Sequence, residues 1–213
     1  MSFAHEERWK KEYELAVRKN SATCTIVPAR KGNLAVWKGY LKTSKQLHSM
    51  EIRLQYRARD GRVLFYPLMP PEVEWQTPIQ HPNIQPPRPK GEGIICFDPF
   101  LKPDHWNPKT HVVDILSFIE LILNNPNPAD PINHPTCLVV AIAMIREKLG
   151  KDSIQTNHPT TTRILAMLTD AEVIIQKYST YWNKVIRGSE DERKRDQAWN
   201  LVCQAGKLLA TMR

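Results

Sequence analysis

Apolar residues recur at helical spacing near the start of the chain. Over residues 5–19, Trp9, Tyr13, Ala16 and Val17 fall on one side of a helical projection, and charged residues occupy the other side. This spacing predicts an amphipathic helix whose apolar face turns towards a core.

A period of two replaces the helical spacing in the next part of the chain. Residues 50–56 alternate apolar and polar positions, which predicts a strand with one buried face. Three further segments are rich in apolar and aromatic residues, at 24–27, 34–41 and 72–75. With an Asp-Gly turn signal at 60–61, these segments predict a meander of four antiparallel strands.

Helical spacing returns in the second half of the chain. Residues 112–123 carry one apolar face, and the Pro-Asn-Pro sequence at 126–128 ends this helix. Another helix is predicted from Pro135 to about residue 149, with Gly150 as its stop. Its segment 137–145 is apolar on nearly all sides and must therefore be covered. Either the carboxy-terminal helices cover it, or it is a docking surface.

The carboxy-terminal residues predict two helices joined by a tight turn. Apolar residues recur at steps of three and four over 164–185, and Gly188 ends that helix. Ser189 with Glu192 forms a capping-box pattern for the next helix, whose apolar face extends over 198–212. This pattern is typical of a helical hairpin.

A proline-rich stretch without regular period, residues 67–108, is interrupted only by one predicted strand. A loop of this length inside a compact domain is usually functional. The predicted fold class is α+β: an amino-terminal helix, a four-stranded antiparallel meander, a long active-site loop and carboxy-terminal helices. The predicted domains are a core over residues 1–150, a linker over 151–160, and a hairpin extension over 161–213 that packs on the core.

Composition restricts the class of protein. The chain has 213 residues, of which 41% are hydrophobic and 24% charged, as in ordinary globular proteins. Its longest apolar run is too short to cross a membrane, and the amino terminus does not match a secretory signal, so we expect a cytoplasmic protein. The cysteines have no paired spacing, and four histidines fit no zinc template (His81, His105, His111 and His134). Disulfides, a metal and other cofactors are therefore not expected.

The net charge of +8 is concentrated in residues 1–60, where thirteen Lys or Arg stand against six Asp or Glu. A solvated basic face is one interpretation. A surface that steers an acidic protein partner is a second. Nucleic acid is the third and is not favoured, because no recognisable nucleic-acid-binding module is present.

Three residues could carry chemistry. Cys96 is the one cysteine in a predicted loop, and a thiolate is a strong nucleophile. Asn83 either donates its amide to a developing oxyanion or bonds the loop backbone. Asp130 either orients and deprotonates an incoming amine or forms a local turn. A hydrolase that pairs Cys96 with His105 or His111 is an alternative from the residue inventory.

The order of several motifs resembles the ubiquitin-conjugating enzyme family over about residues 5–150. The motifs are Tyr-Pro-Leu-Met-Pro-Pro at 66–71, His-Pro-Asn-Ile at 81–84, Gly-Ile-Ile-Cys at 93–96, Trp-Asn-Pro at 106–108 and Pro-Asn-Pro-Ala-Asp-Pro at 126–131. The resemblance implies that Cys96 accepts ubiquitin or a ubiquitin-like protein as a thioester from an activating enzyme. The modifier then passes to a lysine or to a ligase.

The resemblance also implies roles for individual residues. Asn83 stabilises the oxyanion or orders its loop, and Asp130 positions the attacking lysine. The ligase-docking loops contain Leu68, Asn107 and Pro108. The contacts with the activating enzyme come from Arg8, Lys10 and Lys11. The helix face on which the linked modifier folds back contains Ser117 and Leu121.

The chain departs from the family pattern in three places. Residues 39–48 lack the usual Gly-Pro pair and Tyr-Glu-Gly-Gly turn, a short insertion separates Asn83 from Cys96, and Lys109 stands where a small residue is common. These departures favour a divergent branch, such as a prokaryotic or viral conjugation system. A catalytically inert binding module is the alternative, although such variants typically lose the cysteine.

Overall fold

The computed structural model describes residues 3–44, 46–57, 60–87, 93–95, 103–151, 158–178 and 189–212. The chain divides into two compact units. The first comprises Met1–Ile79 and Pro86–Asn125, and the second comprises Gln80–Gln85 and Pro126–Arg213.

The described residues of the first unit form two α-helices and six strands. The helices are α1 (Phe3–Arg18) and α2 (Val112–Asn124), and a short 3₁₀ turn spans Pro103–His105. The strands are β1 (Cys24–Arg30), β2 (Asn33–Lys42), β3 (Leu47–Arg53), β4 (Gln55–Arg57), β5 (Val63–Phe65) and β6 (Glu72–Trp75). Strands β1-β2-β3-β6 form an antiparallel sheet in that order. The predicted four-stranded meander and the α+β class are confirmed.

The segment predicted as one strand over residues 50–56 is divided at Leu54. Before it, β3 pairs with β2 and β6; after it, β4 pairs with β5 in a separate two-stranded ribbon. Leu54 itself is fully buried, and its backbone N–H donates to the carbonyl of Ala35 at 2.8 Å. The alternation of apolar and polar residues continues through the division, so the sequence pattern alone could not indicate the change of pairing.

A buried carboxylate joins the two helices of the first unit. Glu12 of α1 is fully buried. Its Oε2 atom accepts the backbone N–H of Val112 at 3.0 Å, and its Oε1 atom accepts from Nδ1 of His111 at 2.8 Å and from Arg8 at 2.9 Å. The Glu12 carboxylate thus lies at the amino terminus of α2, where negative charge stabilises the helix dipole.

In the second unit, the part of the chain that the structure describes forms three longer helices around one hydrophobic core. These are α3 (Pro135–Lys151), α4 (Pro159–Tyr178) and α5 (Glu190–Thr211). The core residues are Leu138, Ala141, Ile142, Ile145 and Leu149 of α3, Ile164, Leu168, Ala171 and Ile175 of α4, and Ala198, Val202, Ala205 and Leu209 of α5. One apolar face of α3 is therefore covered by the two helices predicted as a hairpin, and Val139 stays half-exposed on another face.

The bounds of these helices differ from prediction at two places. Helix α4 begins at Pro159, inside the predicted linker over residues 151–160. Helix α3 includes Gly150 and continues to Lys151, so the expected stop at Gly150 is wrong. A Cβ atom at Gly150 would have no neighbour within 4 Å, and glycine in a helix costs only about 1 kcal/mol relative to alanine. Ser189 caps α5 as predicted, because its side chain accepts the N–H of Glu192. Residues 152–157 and 179–188, with the predicted stop at Gly188, lie outside the described residues.

No helix in the described part of the chain is long and apolar enough to cross a membrane.

Candidate active site

Asn83 is the most heavily bonded of the predicted site residues. It is 5% exposed, and its side-chain nitrogen donates to the carbonyl oxygens of Asn127 at 3.0 Å and Asp130 at 2.8 Å. Its side-chain oxygen accepts the backbone N–H of Asn127 at 2.7 Å. The side-chain amide of Asn83 therefore uses both of its N–H donors and its oxygen in hydrogen bonds with the loop that carries Asp130. Such hydrogen bonds fix the position of the loop backbone.

Further hydrogen bonds hold both segments of this arrangement. The backbone N–H of Asn83 donates to Nδ1 of His81 at 3.0 Å, and the N–H of Ile132 donates to the carbonyl of Pro82 at 2.8 Å. Asn127 bonds its own turn, since its Oδ1 atom accepts the N–H of Ala129 at 3.1 Å. The loop has a fixed shape although its residues form no regular secondary structure.

Asp130 projects from this fixed loop into solvent. Its residue is exposed, and its backbone N–H donates to the carbonyl of Asn127 at 3.4 Å. An exposed carboxylate on a rigid turn is suited to accept a hydrogen bond or a proton from an approaching amine. Asn83 and Asp130 are thus brought together, with the amide holding the backbone of the residue that presents the carboxylate.

Cys96 lies outside the described residues. The residues directly before it are anchored in the first unit: the carbonyl of Gly93 accepts the N–H of Trp75 at 3.2 Å, and Ile95 is buried. The distance from Asn83 to the thiol, which the sequence insertion brings into question, is therefore not defined by the described residues.

The other three cysteines are poor candidates for a nucleophile. Cys137 is fully buried, and its thiol donates to the carbonyl of Ile84 at 3.6 Å. Burial, with the charge of Glu120, raises the pKa of the half-buried Cys24 thiol. Burial, with the charge of Asp130, raises the pKa of Cys203 to about 11. A raised pKa lowers the thiolate fraction at neutral pH, and the thiolate is the reactive form.

The predicted ligase-docking residues lie on two connected loops of the first unit. Leu68 is 66% exposed, and Asn107 and Pro108 are also exposed. Buried Trp106 connects the loops, because its ring N–H donates to the carbonyl of Pro67 at 2.7 Å. Leu68 and the turn at Asn107 and Pro108 are thus exposed at the surface, while Trp106 stays buried beneath them.

The predicted contacts of α1 separate into two kinds. Lys10 and Lys11 are exposed. Arg8 is directed inward: its guanidinium donates to the hydroxyl of Tyr66 at 3.4 Å and pairs with Glu12 at 2.9 Å. Arg8 is thus bonded internally while its side chain stays 30% exposed, and the two lysines are surface charges.

Ser117 and Leu121 share one face of α2, as their spacing of four residues requires. Leu121 is 56% exposed, and the Ser117 hydroxyl donates to the carbonyl of Val113 at 2.9 Å. This face is open to a partner.

The comparisons with known proteins decide the family. A family model described as "Ubiquitin-conjugating enzyme" matches residues 8–142, which is more than half of the chain. The chain belongs to the ubiquitin-conjugating enzyme family. The predicted resemblance is thereby confirmed.

Individual members of the ubiquitin-conjugating enzyme family match shorter parts of the chain. Human Ubiquitin-conjugating enzyme E2 T is 38% identical over 69 residues, which are 32% of this chain and 32% of that enzyme. The Drosophila melanogaster Ubiquitin-conjugating enzyme E2-18 kDa is 27% identical over 129 residues, 61% of this chain and 78% of that enzyme. The match with the human relative thus spans about a third of its length.

A solved structure was also compared with the chain. Human Ubiquitin-conjugating enzyme E2 G1 aligns with a TM-score of 0.44 and 17% identity, covering 56% of this chain and 94% of that chain.

Two observations argue against the alternative of a Cys-His hydrolase: membership of the ubiquitin-conjugating family and a hydrogen bond of His111. His111, a predicted partner for Cys96, is bonded through Nδ1 to the buried Glu12. Its position is explained by the start of α2, without a catalytic role. Among the described residues, no group of three or more His, Cys, Asp or Glu is placed to hold a metal ion.

Two features of this ubiquitin-conjugating domain were missed from the sequence. Glu12 was counted only as a charge on the polar side of α1, although it is buried. The contacts of α5 with the loop that carries Asp130 were not foreseen either. The aromatic residue Trp199 is the one signal that pointed to them: its ring N–H donates to the carbonyl of Pro131 at 2.8 Å.

Proposed function

We propose that the protein is a ubiquitin-conjugating enzyme that carries ubiquitin or a ubiquitin-like protein as a thioester on Cys96. The observation that carries this proposal is the family match over residues 8–142, which includes the Gly-Ile-Ile-Cys motif at 93–96. The partners are the modifier, an activating enzyme and a ligase or a lysine-bearing acceptor.

The proposed reaction has two transfers. In the first, the Cys96 thiolate attacks the thioester carbonyl of the modifier on the activating enzyme; a new S–C bond forms, and the activating enzyme's thiol leaves. In the second, an amine attacks that carbonyl, the Cys96 thiol leaves, and the amine loses one proton. An activated thioester is a sufficiently reactive acyl donor for a thiolate, so Cys96 needs no histidine as a base.

Asp130 and Asn83 have separate tasks in this proposal. The exposed carboxylate of Asp130 orients the amine and accepts its proton, which general-base groups do with gains of about 100- to 10,000-fold. Asn83 acts as a positioning residue, because its amide is bonded to the backbone of the Asp130 loop.

The surfaces are assigned by exposure. Leu68, Asn107 and Pro108 form the ligase-docking surface, Lys10 and Lys11 meet the activating enzyme, and Ser117 with Leu121 receives the folded-back modifier. Arg8 joins Lys10 and Lys11 in the contact with the activating enzyme through the exposed part of its side chain.

Charging with ubiquitin tests the carrier role. The protein is incubated with ubiquitin, its activating enzyme and ATP, and the intact mass is measured with and without a reducing thiol. We expect a thiol-labile adduct on the wild type and a thiol-resistant ester on Cys96→Ser. Cys24→Ser is the matched control, since Cys24 is the one cysteine among the described residues that is partly exposed. It should charge like the wild type.

Absence of any adduct, with an activating enzyme that charges a known carrier in the same tube, would remove ubiquitin as the modifier. Loss of the adduct in Cys24→Ser rather than Cys96→Ser would place the nucleophile elsewhere.

Discharge to free lysine tests the second transfer. Asp130→Ala should charge at the wild-type rate and discharge about 100-fold more slowly, because only the amine step uses the carboxylate. Asp130→Asn keeps the shape of the side chain and removes the base, so it should behave in the same way. Equal losses in charging and discharge would assign Asp130 a structural role.

A further inference from the structure

One face of α5 lies along the loop that carries Asp130. Four residues at steps of three and four make this face: Asp196, Trp199, Cys203 and Gly206. Three of them, Asp196, Trp199 and Gly206, contact a part of the segment 129–133, and all four belong to the second compact unit.

The contacts run in opposite directions along the helix and the loop. At one end, Oδ1 of Asp196 accepts from the side-chain nitrogen of Asn133 at 3.0 Å. One turn further, the ring N–H of Trp199 donates to the carbonyl of Pro131 at 2.8 Å. Backbone and side-chain groups of the loop are thus both engaged.

The next two contacts reach Asp130 and its neighbour. Burial raises the pKa of the Cys203 thiol, and the negative charge of Asp130 raises it further. The charge of the Asp130 carboxylate therefore acts electrostatically on this face of α5. At Gly206, a Cβ atom would lie 2.6 Å from the Cα of Ala129 and 2.8 Å from its Cβ. Only glycine allows the helix backbone to approach the loop this closely.

We propose that this face of α5 positions the Asp130 loop, so that the carboxy-terminal helix sets the rate of modifier transfer to amines without taking part in charging. The proposal rests on the proposed function and extends it to Trp199 and Gly206 as positioning residues. Asn83 holds the loop backbone at residues 127 and 130, whereas α5 contacts the backbone at residues 129 and 131 and the side chain of Asn133.

The first test measures the loop directly and does not depend on charging. Hydrogen exchange of the peptide covering residues 126–133 is followed by mass spectrometry in the wild type, Gly206→Ala and Gly150→Ala. Gly150 is the matched control, because a Cβ atom there meets nothing within 4 Å. We expect exchange of this peptide to become about fivefold to 100-fold faster in Gly206→Ala, through forced displacement of Ala129, and unchanged in Gly150→Ala.

A second variant covers the case in which Gly206→Ala does not fold. Trp199→Phe keeps an aromatic ring of smaller size and removes the N–H that bonds Pro131. Loss of one such hydrogen bond should speed exchange of the loop about threefold to tenfold. Unchanged exchange in the loop of both folded variants, or equal acceleration in Gly150→Ala, would overturn the proposal.

The second test separates positioning from general destabilisation. Single-turnover discharge of the ubiquitin thioester to free lysine should slow about fivefold or more in Gly206→Ala, while the charging rate stays at the wild-type value. In an Asp130→Ala background, Gly206→Ala should have no further effect, because the group it displaces is already absent.

Additive losses in the double variant, or equal losses in charging and discharge, would overturn the proposal. A wild type that does not charge with ubiquitin contradicts the proposed function instead. In that event, the hydrogen-exchange comparison still decides whether α5 holds the loop.

Discussion

The side-chain nitrogen of Asn83 lies 2.8 Å from the carbonyl oxygen of Asp130, although 46 residues separate them in the chain. The same amide also bonds both backbone groups of Asn127. A buried amide with these partners fixes the position of a loop that has no regular hydrogen-bond ladder.

We therefore expect Asn83→Ala to loosen the Asp130 loop, and to slow transfer to amines as a consequence. It removes three hydrogen bonds and leaves buried backbone groups without partners, at a cost of about 2 to 4 kcal/mol in the free energy of unfolding. Discharge to lysine should fall at least as far as in Asp130→Ala, with charging retained. Urea unfolding and single-turnover assays measure both effects.

Asn124→Ala is the control for this substitution, since Asn124 is exposed and its side chain bonds only the carbonyl of Glu120. If Asn83→Ala leaves the stability unchanged but slows discharge, the amide acts on the oxyanion rather than on the loop.

Glu12→Gln tests the junction of α1 and α2. An amide cannot accept from Val112, His111 and Arg8 through both of its atoms, because its nitrogen is a donor. We expect the free energy of unfolding to fall by about 2 to 4 kcal/mol. Glu14→Gln, on the exposed side of the same helix, should change it by less than about 0.5 kcal/mol. Equal effects of the two substitutions would contradict the role of Glu12.

Cys203 predicts a loss of stability at high pH. Its thiol has an ordinary pKa of 9.0, raised to about 11 in the fold by burial and by the charge of Asp130. As the pH rises above 9, the unfolded chain releases the proton and the folded chain retains it, so the stability present below pH 9 is lost as the pH approaches 11.

Thermal or urea unfolding between pH 8 and pH 10.5 measures this effect against Cys203→Ala. The wild type should lose about 1 to 2 kcal/mol more than the variant over this interval. Parallel pH profiles would show that the thiol titrates alike in both states.

The basic surface of α1 predicts a salt-dependent charging rate. Reversing Lys10 and Lys11 to Glu should slow thioester formation about tenfold at low ionic strength, and the difference should shrink in 0.5 M salt. Lys31→Glu changes a charge of the same sign at an exposed turn and should have little effect. An equal effect from Lys31 would indicate attraction by net charge alone.

Periodic patterns predicted the parts of the fold that depend on burial. Ile164, Leu168 and Ala198 were placed on apolar faces from their spacing, and all three are fully buried. Such predictions succeed because one helix face must leave water whatever the rest of the chain does.

Long-range pairing could not be predicted in the same way. Leu54 keeps the alternation of its strand while the pairing partner changes, and Gly150 stays helical because nothing at that position stops the helix. The hydrogen bonds of Asn83 could not be predicted, because its partners are distant in sequence. The sequence motifs indicated which residues belong to the candidate site, whereas their hydrogen-bond partners became known only from the structure.

The contacts of α5 were the least predictable part of the site. Gly206 lies within an ordinary helical pattern, and nothing in the sequence indicates that Ala129 lies against it. A close approach between two backbones depends on the relative placement of helix and loop, which periodicity does not encode.

The side chain of Asn83 forms its hydrogen bonds with main-chain atoms of the Asp130 loop. Every residue has a backbone carbonyl, and every residue except proline has a backbone N–H. Substitutions in the loop can therefore change its side chains while these hydrogen bonds keep its backbone path. The path of the loop is therefore independent of the side chain at position 130, so a substitution there changes the exposed group without moving the backbone that presents it.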